Sequence, residues 1–255
     1  MKLVLHYDGR NFHGWQAQRN RRTVQGEFSA LLARICGRES TVTGAGRTDR
    51  GVHATGQVAS ALVPERLSDA ELRRALNALA PSDLWVVSAE RVPRSFHPRY
   101  DAVSRTYSYR VGVNEEADSP FMAPWCWPLG RPLELDRMRA EAEALSGTHD
   151  FGGFAKSGQP ERGARCHVFA AEWRASPIRN GILEFEISAD RFLRRMVRYL
   201  VGTMIEVGLR RRPVGAVARI LDSDPGARSA PPAPANGLWL TRVEYGPNSE
   251  EERDG

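Results

Sequence analysis

Strand and helix signals recur in a similar order in the two halves of the chain, and this repetition limits the fold more than any other feature of the sequence. Residues 2–8 alternate as a strand does, and 57–63 and 84–92 read as further strands. Between them, 23–37 place Val24, Phe28, Leu31, Leu32 and Ile35 at helical spacing behind Thr23 at an N-cap position. Ser68 caps a second helix that reaches Ala80 and stops at Pro81. From Arg105 the order returns. A strand covers 105–113, a long connection carries Trp125 and Trp127, and a helix follows over 135–146. Strands cover 168–175 and 182–189, helices 191–209 and 214–221, and a last strand 237–245. Strict β-α-β alternation is absent, so the pattern predicts an α+β fold in two halves. The expected junction is near residue 102. Residues 1–102 form one α+β subdomain and 103–246 a second, followed by an acidic, apolar-poor tail over 247–255 that reads as disordered.

Composition narrows the function classes. No apolar run approaches the roughly 18 residues of a membrane span, and the first residues lack the apolar stretch of a secretory signal. A cytoplasmic protein is expected. Cys36, Cys126 and Cys166 are odd in number and far apart, which supports neither a disulfide framework nor a zinc site. The six histidines show no metal-ligand spacing, so no metal is expected. The formal charge is +5, and all but two of the 36 Lys and Arg residues are arginine. Arginine suits phosphate and base recognition, because its planar fork binds oxygens in pairs and stacks. A general compositional bias accounts for such an excess equally well, so local placement has to decide.

Three placements carry chemistry. The first is Gly44-Ala45-Gly46-Arg47-Thr48-Asp49-Arg50-Gly51-Val52-His53-Ala54, where small residues surround a compact charged core. Small residues let a backbone turn tightly and a ligand approach, and flanking Arg47 and Arg50 favour an ionised Asp49. A surface ion pair on a turn reads the same way, and the Lys-Ser/Thr ending of a phosphate-binding P-loop is missing. The second is the expected helix from Arg191, which sets Arg191, Arg194, Arg195 and Arg198 on one stripe opposite a wide apolar arc. Buried arginines need anionic partners; a solvated helix face is the plainer alternative. The third is Arg105-Thr106-Tyr107-Ser108-Tyr109-Arg110, where a strand puts Tyr107 and Tyr109 on one face. They suit base stacking or a sheet core alike.

Taken together, these residues resemble the bacterial TruA-type tRNA pseudouridine synthases over nearly the whole chain. Tyr7-Asp8-Gly9, Phe12-His13-Gly14-Trp15-Gln16 and Thr23-Val24-Gln25-Gly26 look like the opening of that family, and the run from Gly46 to Ala54 looks like its signature. Phe96-His97-Pro98-Arg99, Arg105 to Tyr109, Gly147-Thr148-His149-Asp150-Phe151, Met196-Val197-Arg198 and Pro234 to Leu240 resemble later blocks. Residues 152–166 and the tail after Gly246 depart from the pattern, and the loop 18–22 carries additional arginines.

The resemblance implies two ferredoxin-like α+β subdomains sharing a central mixed or antiparallel sheet, crossed by a basic cleft. It implies a homodimer that isomerises uridine at positions 38, 39 and 40 of the tRNA anticodon stem-loop without metal or organic cofactor. It gives Asp49 the role of nucleophile or charge stabiliser at the ribose C1′. Tyr107 would pack on the target base and help deprotonate C5, Arg198 would pair with the Asp, and Arg47 would help extrude the base beside Arg50. Two other readings remain: an RNA-binding protein without activity, against which Asp49, Tyr107 and Arg198 argue, and a phosphotransferase, against which the missing P-loop lysine argues.

Overall fold

The computed structural model describes residues 1–64, 66–156, 163–177 and 179–246, so the expected disorder of the acidic tail lies outside the described residues. In chain order the elements are β1 (Lys2–Tyr7), α1 (Val24–Cys36), β2 (Val42–Gly44), β3 (His53–Ala61), α2 (Asp69–Leu79), β4 (Leu84–Glu90), β5 (Ala102–Gly112), β6 (Trp127–Pro128), α3 (Leu135–Glu143), β7 (Gly147–Asp150), β8 (Arg165–Ala175), β9 (Ile182–Ala189), α4 (Met196–Gly208), α5 (Ala216–Leu221) and β10 (Leu238–Tyr245). The architecture is α+β with a mixed sheet, as the order of signals predicts. Among the described residues, no helix is long and apolar enough to cross a membrane.

The chain forms two compact units, and their division is not linear. One unit is Met1–Arg105 together with the chain from Trp239, and the other is Thr106–Leu238. The sequence expectation keeps 103–246 together. The first unit takes back the final strand because β10 pairs in parallel with β3, Trp239 opposite His53 and Leu240 opposite Ala54. Pairing between segments so far apart leaves no trace in local periodicity.

In the first unit the strands run β4-β1-β3-β10, with β2 added to β3; β1 is antiparallel to both neighbours. Leu3, Leu5 and Tyr7 alternate into the core with period two. The Thr23 side chain accepts the Gly26 N–H to start α1, and Gly37 ends it at φ 71°. That helix buries Val24, Phe28, Leu31 and Leu32, each worth about 2 kcal/mol of apolar burial. A reciprocal capping box between Ser68 and Glu71 starts α2, which buries Leu72 and Leu76.

In the second unit the order is β5-β9-β8-β7, with β6 parallel to β5. Trp173 on β8 and Phe185 on β9 are fully buried with ring centres 5.1 Å apart. α4 buries Leu200, Val201, Met204 and Ile205.

The second unit also corrects an expectation. The predicted helix over 191–209 begins only at Met196, because Arg195 sits in the left-handed region at φ 64°. A non-glycine residue there costs about 1–2 kcal/mol and cannot continue a helix. The Met196 N–H closes a turn on the Leu193 C=O at 3.1 Å. Arg191 and Arg194 therefore precede the helix, and the four-arginine stripe does not exist as one helical face.

Candidate active site

β2 and β3 are antiparallel neighbours, and the loop joining them carries Gly46 to Val52. The Ala45 N–H donates to the Val58 C=O at 2.8 Å, which keeps the start of the loop on β3. At its end, the Val52 N–H donates to the Asp49 C=O at 3.2 Å, and Gly51 permits that tight turn with φ 81°. Asp49 is half-buried within this turn, while Arg47 and Arg50 are exposed.

Thr48, the residue before Asp49, is held from two sides. Its hydroxyl lies 2.8 Å from the Tyr7 hydroxyl on β1, and its C=O accepts the Trp15 N–H at 3.0 Å. Gly14 has φ +90°, and a Cβ there would meet the Thr48 oxygen at 2.6 Å, so glycine is required for this approach. Gln57 on β3 has no exposed surface. Its Nε2 donates to the Gly46 C=O at 3.0 Å and, more weakly, to the Tyr7 hydroxyl at 3.4 Å. His53 is equally buried. It stacks on Trp239 at 4.3 Å, and its Nδ1 lies 3.2 Å from the Gly9 backbone nitrogen and 3.3 Å from the Asp8 carboxylate. The catalytic candidate thus stands over buried polar side chains, with Thr48 held by Tyr7 and the Gly46 carbonyl held by Gln57.

Tyr107 and Arg198 belong to the second unit. Tyr107 is half-buried on β5 and meets Phe192 edge to face at 4.9 Å. Tyr109, two residues on, is fully buried, with its hydroxyl donating to the Pro234 C=O at 2.7 Å. Burial pushes that phenol well above its ordinary range, so it stays neutral and structural. Arg198 is half-buried on α4, where its Nε donates to the Ala233 C=O at 2.6 Å and its own C=O accepts the Ala233 N–H at 2.9 Å. Thr203 accepts the Ala230 N–H at 3.0 Å, and the segment between Ala230 and Ala233 is thereby tied along α4.

Asp49, Arg47 and Arg50 share one loop, as the signature run predicts. The residues missed by sequence reasoning are Gln57, whose only signal was a polar residue opening an apolar strand, and Phe192, which was assigned to a helix it precedes. Cys36, Cys126 and Cys166 are all buried and free. Burial pushes the Cys166 thiol up to about 11, which keeps it out of thiolate chemistry at neutral pH.

Comparison with known proteins places the whole chain in a family. The tRNA pseudouridine synthase family model matches residues 3–101 and 142–246, which include Asp49 and Arg198 and leave out the interval holding Tyr107. A tRNA pseudouridine synthase A of Moorella thermoacetica is 40% identical over 248 residues, covering 96% of this chain and 99% of that protein. Its counterpart in Limosilactobacillus reuteri is 37% identical over 254 residues, covering 98% of each. A solved archaeal box H/ACA Nop10-Cbf5 complex matches with TM-score 0.36 and 12% identity, over 80% of this chain and 44% of that one, a likeness too slight to bear on function. With a family match spanning most of its length and relatives this similar from end to end, the chain belongs to the tRNA pseudouridine synthase family.

Proposed function

We propose that this protein isomerises uridine to pseudouridine at positions 38, 39 and 40 of the tRNA anticodon stem-loop, in the cytoplasm, as a homodimer, using neither metal nor organic cofactor. The observation that carries the reading is the fixed turn that presents half-buried Asp49 between exposed Arg47 and Arg50. The target base first leaves its stack, which costs a few kcal/mol. Arg47 and Arg50 hold phosphates around the loop, and Arg47 helps to keep the base extruded. The Asp49 carboxylate then attacks C1′ or stabilises its cationic character while the N1–C1′ bond breaks. The freed uracil turns over against the Tyr107 ring. A C5–C1′ bond forms as any bond from the Asp49 oxygen to C1′ breaks and returns the carboxylate, C5 loses its proton, and N1 ends the reaction protonated. No electrons enter or leave. By family resemblance, Arg198 is the arginine assigned to that carboxylate.

The test is incubation with unmodified tRNA, with no added metal or nucleotide, followed by mapping of pseudouridine. Product at 38–40 with the native protein, and none with Asp49→Asn, is expected. Product at other positions overturns the site choice, and a near-normal single-turnover rate for Asp49→Asn overturns the nucleophile. Binding should also weaken steeply with salt, because phosphate neutralisation dominates affinity.

A further inference from the structure

Glycine is retained in folded proteins for two common reasons: a left-handed backbone, or a neighbour pressed where a Cβ would stand. Among the described glycines outside the left-handed region, Gly46 is the one whose Cβ position is wholly open. Its φ lies outside the left-handed region, and a Cβ built on it meets nothing within 4 Å. Gly44, two residues earlier, shows the contrast, since its Cβ would strike the Trp15 ring at 2.5 Å.

Gly46 is also held in place rather than loose. Gln57 donates to its C=O at 3.0 Å, and Ala45 before it is hydrogen-bonded to Val58 at 2.8 Å. The Arg105 guanidinium reaches the Ala45 C=O at 3.4 Å. A fully buried glutamine is spent on fixing the peptide of a residue that presents no side chain. The free protein therefore maintains a bare backbone surface at Gly46, next to exposed Arg47 and three residues before Asp49.

We infer that the open Cα face of Gly46 is a docking point for the substrate RNA, where a nucleotide lies in van der Waals contact with the backbone while Arg47 takes a neighbouring phosphate. This rests on the proposed RNA-modifying role of the Asp49 loop and adds a binding surface to it. Direct contact with peptide is short-ranged, so one added methyl group would push the nucleotide away, whereas the uncomplexed protein would accept that methyl freely.

The experiment compares Gly46→Ala with Gly44→Ala and Asp49→Asn, measuring thermal unfolding, affinity for unmodified tRNA, and single-turnover rate at saturating enzyme. Gly46→Ala should unfold at or above the native temperature, because the alanine restricts the unfolded chain. Its tRNA dissociation constant should rise about ten- to a hundredfold, as overpacking by one methyl does. Gly44→Ala should unfold at a lower temperature, which shows that the measurement detects a blocked Cβ. A fall in affinity of that size supports the inference whatever the rate does. Unchanged affinity overturns it, including the case where the rate alone falls, which would make Gly46 a hinge. A lowered unfolding temperature for Gly46→Ala overturns it too. Full activity of Asp49→Asn would instead strike the underlying reading of the loop, and so the two failures are told apart.

Discussion

Glu141 lies on α3 with 1% of its surface exposed, and both of its oxygens are occupied: one accepts the Gly215 N–H at 2.5 Å, the other the Val217 N–H at 2.7 Å. These groups open α5, whose N-cap Gly215 has no side chain to do the same. Asp49 also stands at a turn, but it is half-buried and flanked by exposed arginines. The Glu141 carboxylate is consumed by the fold. Around Asp49 the neighbours are secured: Thr48 is held by Tyr7, and the Gly46 carbonyl by Gln57. The Glu141 carboxylate keeps the start of a helix in place, whereas Asp49 is carried half-buried on a secured turn beside two exposed arginines.

The largest expected effect separates the two directly. Asp49→Asn should lower the single-turnover rate by about ten-thousandfold or more, the scale seen when a nucleophile is removed, with the unfolding temperature unchanged. Glu141→Ala should do the reverse. Two hydrogen bonds to a charged group disappear in the interior, at about 3 kcal/mol of stability, while the rate per folded molecule holds. Glu141→Gln keeps one acceptor and should lose about half as much. Denaturant unfolding paired with active-site titration checks both. A rate loss in folded Glu141→Ala would break the contrast.

Next in size is the floor beneath the loop. Thr48→Val keeps the shape of the side chain and takes away the short hydrogen bond of the buried Tyr7 hydroxyl, leaving the weaker one from Gln57, which should cost about 1 kcal/mol. The rate at saturating tRNA should fall with KM little changed, because the turn that aims Asp49 loosens while the exposed arginines stay. Thr48→Ser restores the hydroxyl and should restore the rate. If Thr48→Val and Thr48→Ser behave alike in rate, the hydroxyl pair has no share in positioning Asp49.

How much of this was legible depends on the reach of the interaction. The caps of α1 and α2 are local: Thr23 and Gly26, or Ser68 and Glu71, lie within one turn, and the sequence states them openly. Asp49 with its arginines was legible for the same reason. The start of α4 was not, since the apolar spacing runs smoothly through Arg195 and only its left-handed backbone breaks it. Strands β2, β6 and β7 are two to four residues long and exist only through pairing, so no periodicity announces them. Glu141 and Gln57 were invisible because a polar residue on a helix or at a strand start reads as solvent-facing until its distant partner is known. The return of β10 to the first unit was hidden likewise.

The smallest effect concerns a third carboxylate, intermediate between the two compared above. Asp83 receives two hydrogen bonds from the Arg22 guanidinium, at 2.7 and 2.8 Å, and Arg22 lies over the Phe12 ring at 4.2 Å. This clamp ties the end of the arginine-bearing loop to the start of β4. The Arg22 hydrogen bonds hold the Asp83 carboxyl below its ordinary value, against a smaller opposing contribution from burial. In the unfolded chain the group titrates near its usual pKa of about 3.9. Above that pH it is ionised in both states, and the clamp contributes in full. As pH falls through the lowered folded pKa, the carboxylate is protonated and the contribution is lost, so stability should decline on acidification below about pH 4. Because Arg22 is one-third exposed, solvent screening limits the amount to within about 1 kcal/mol. Arg22→Met should remove that part of the acid slope while leaving the slope from other carboxylates, and stability measured from pH 7 down to pH 3 in both proteins would reveal it. Parallel curves would mean that the clamp, like many exposed ion pairs, orders the loop without stabilising the fold.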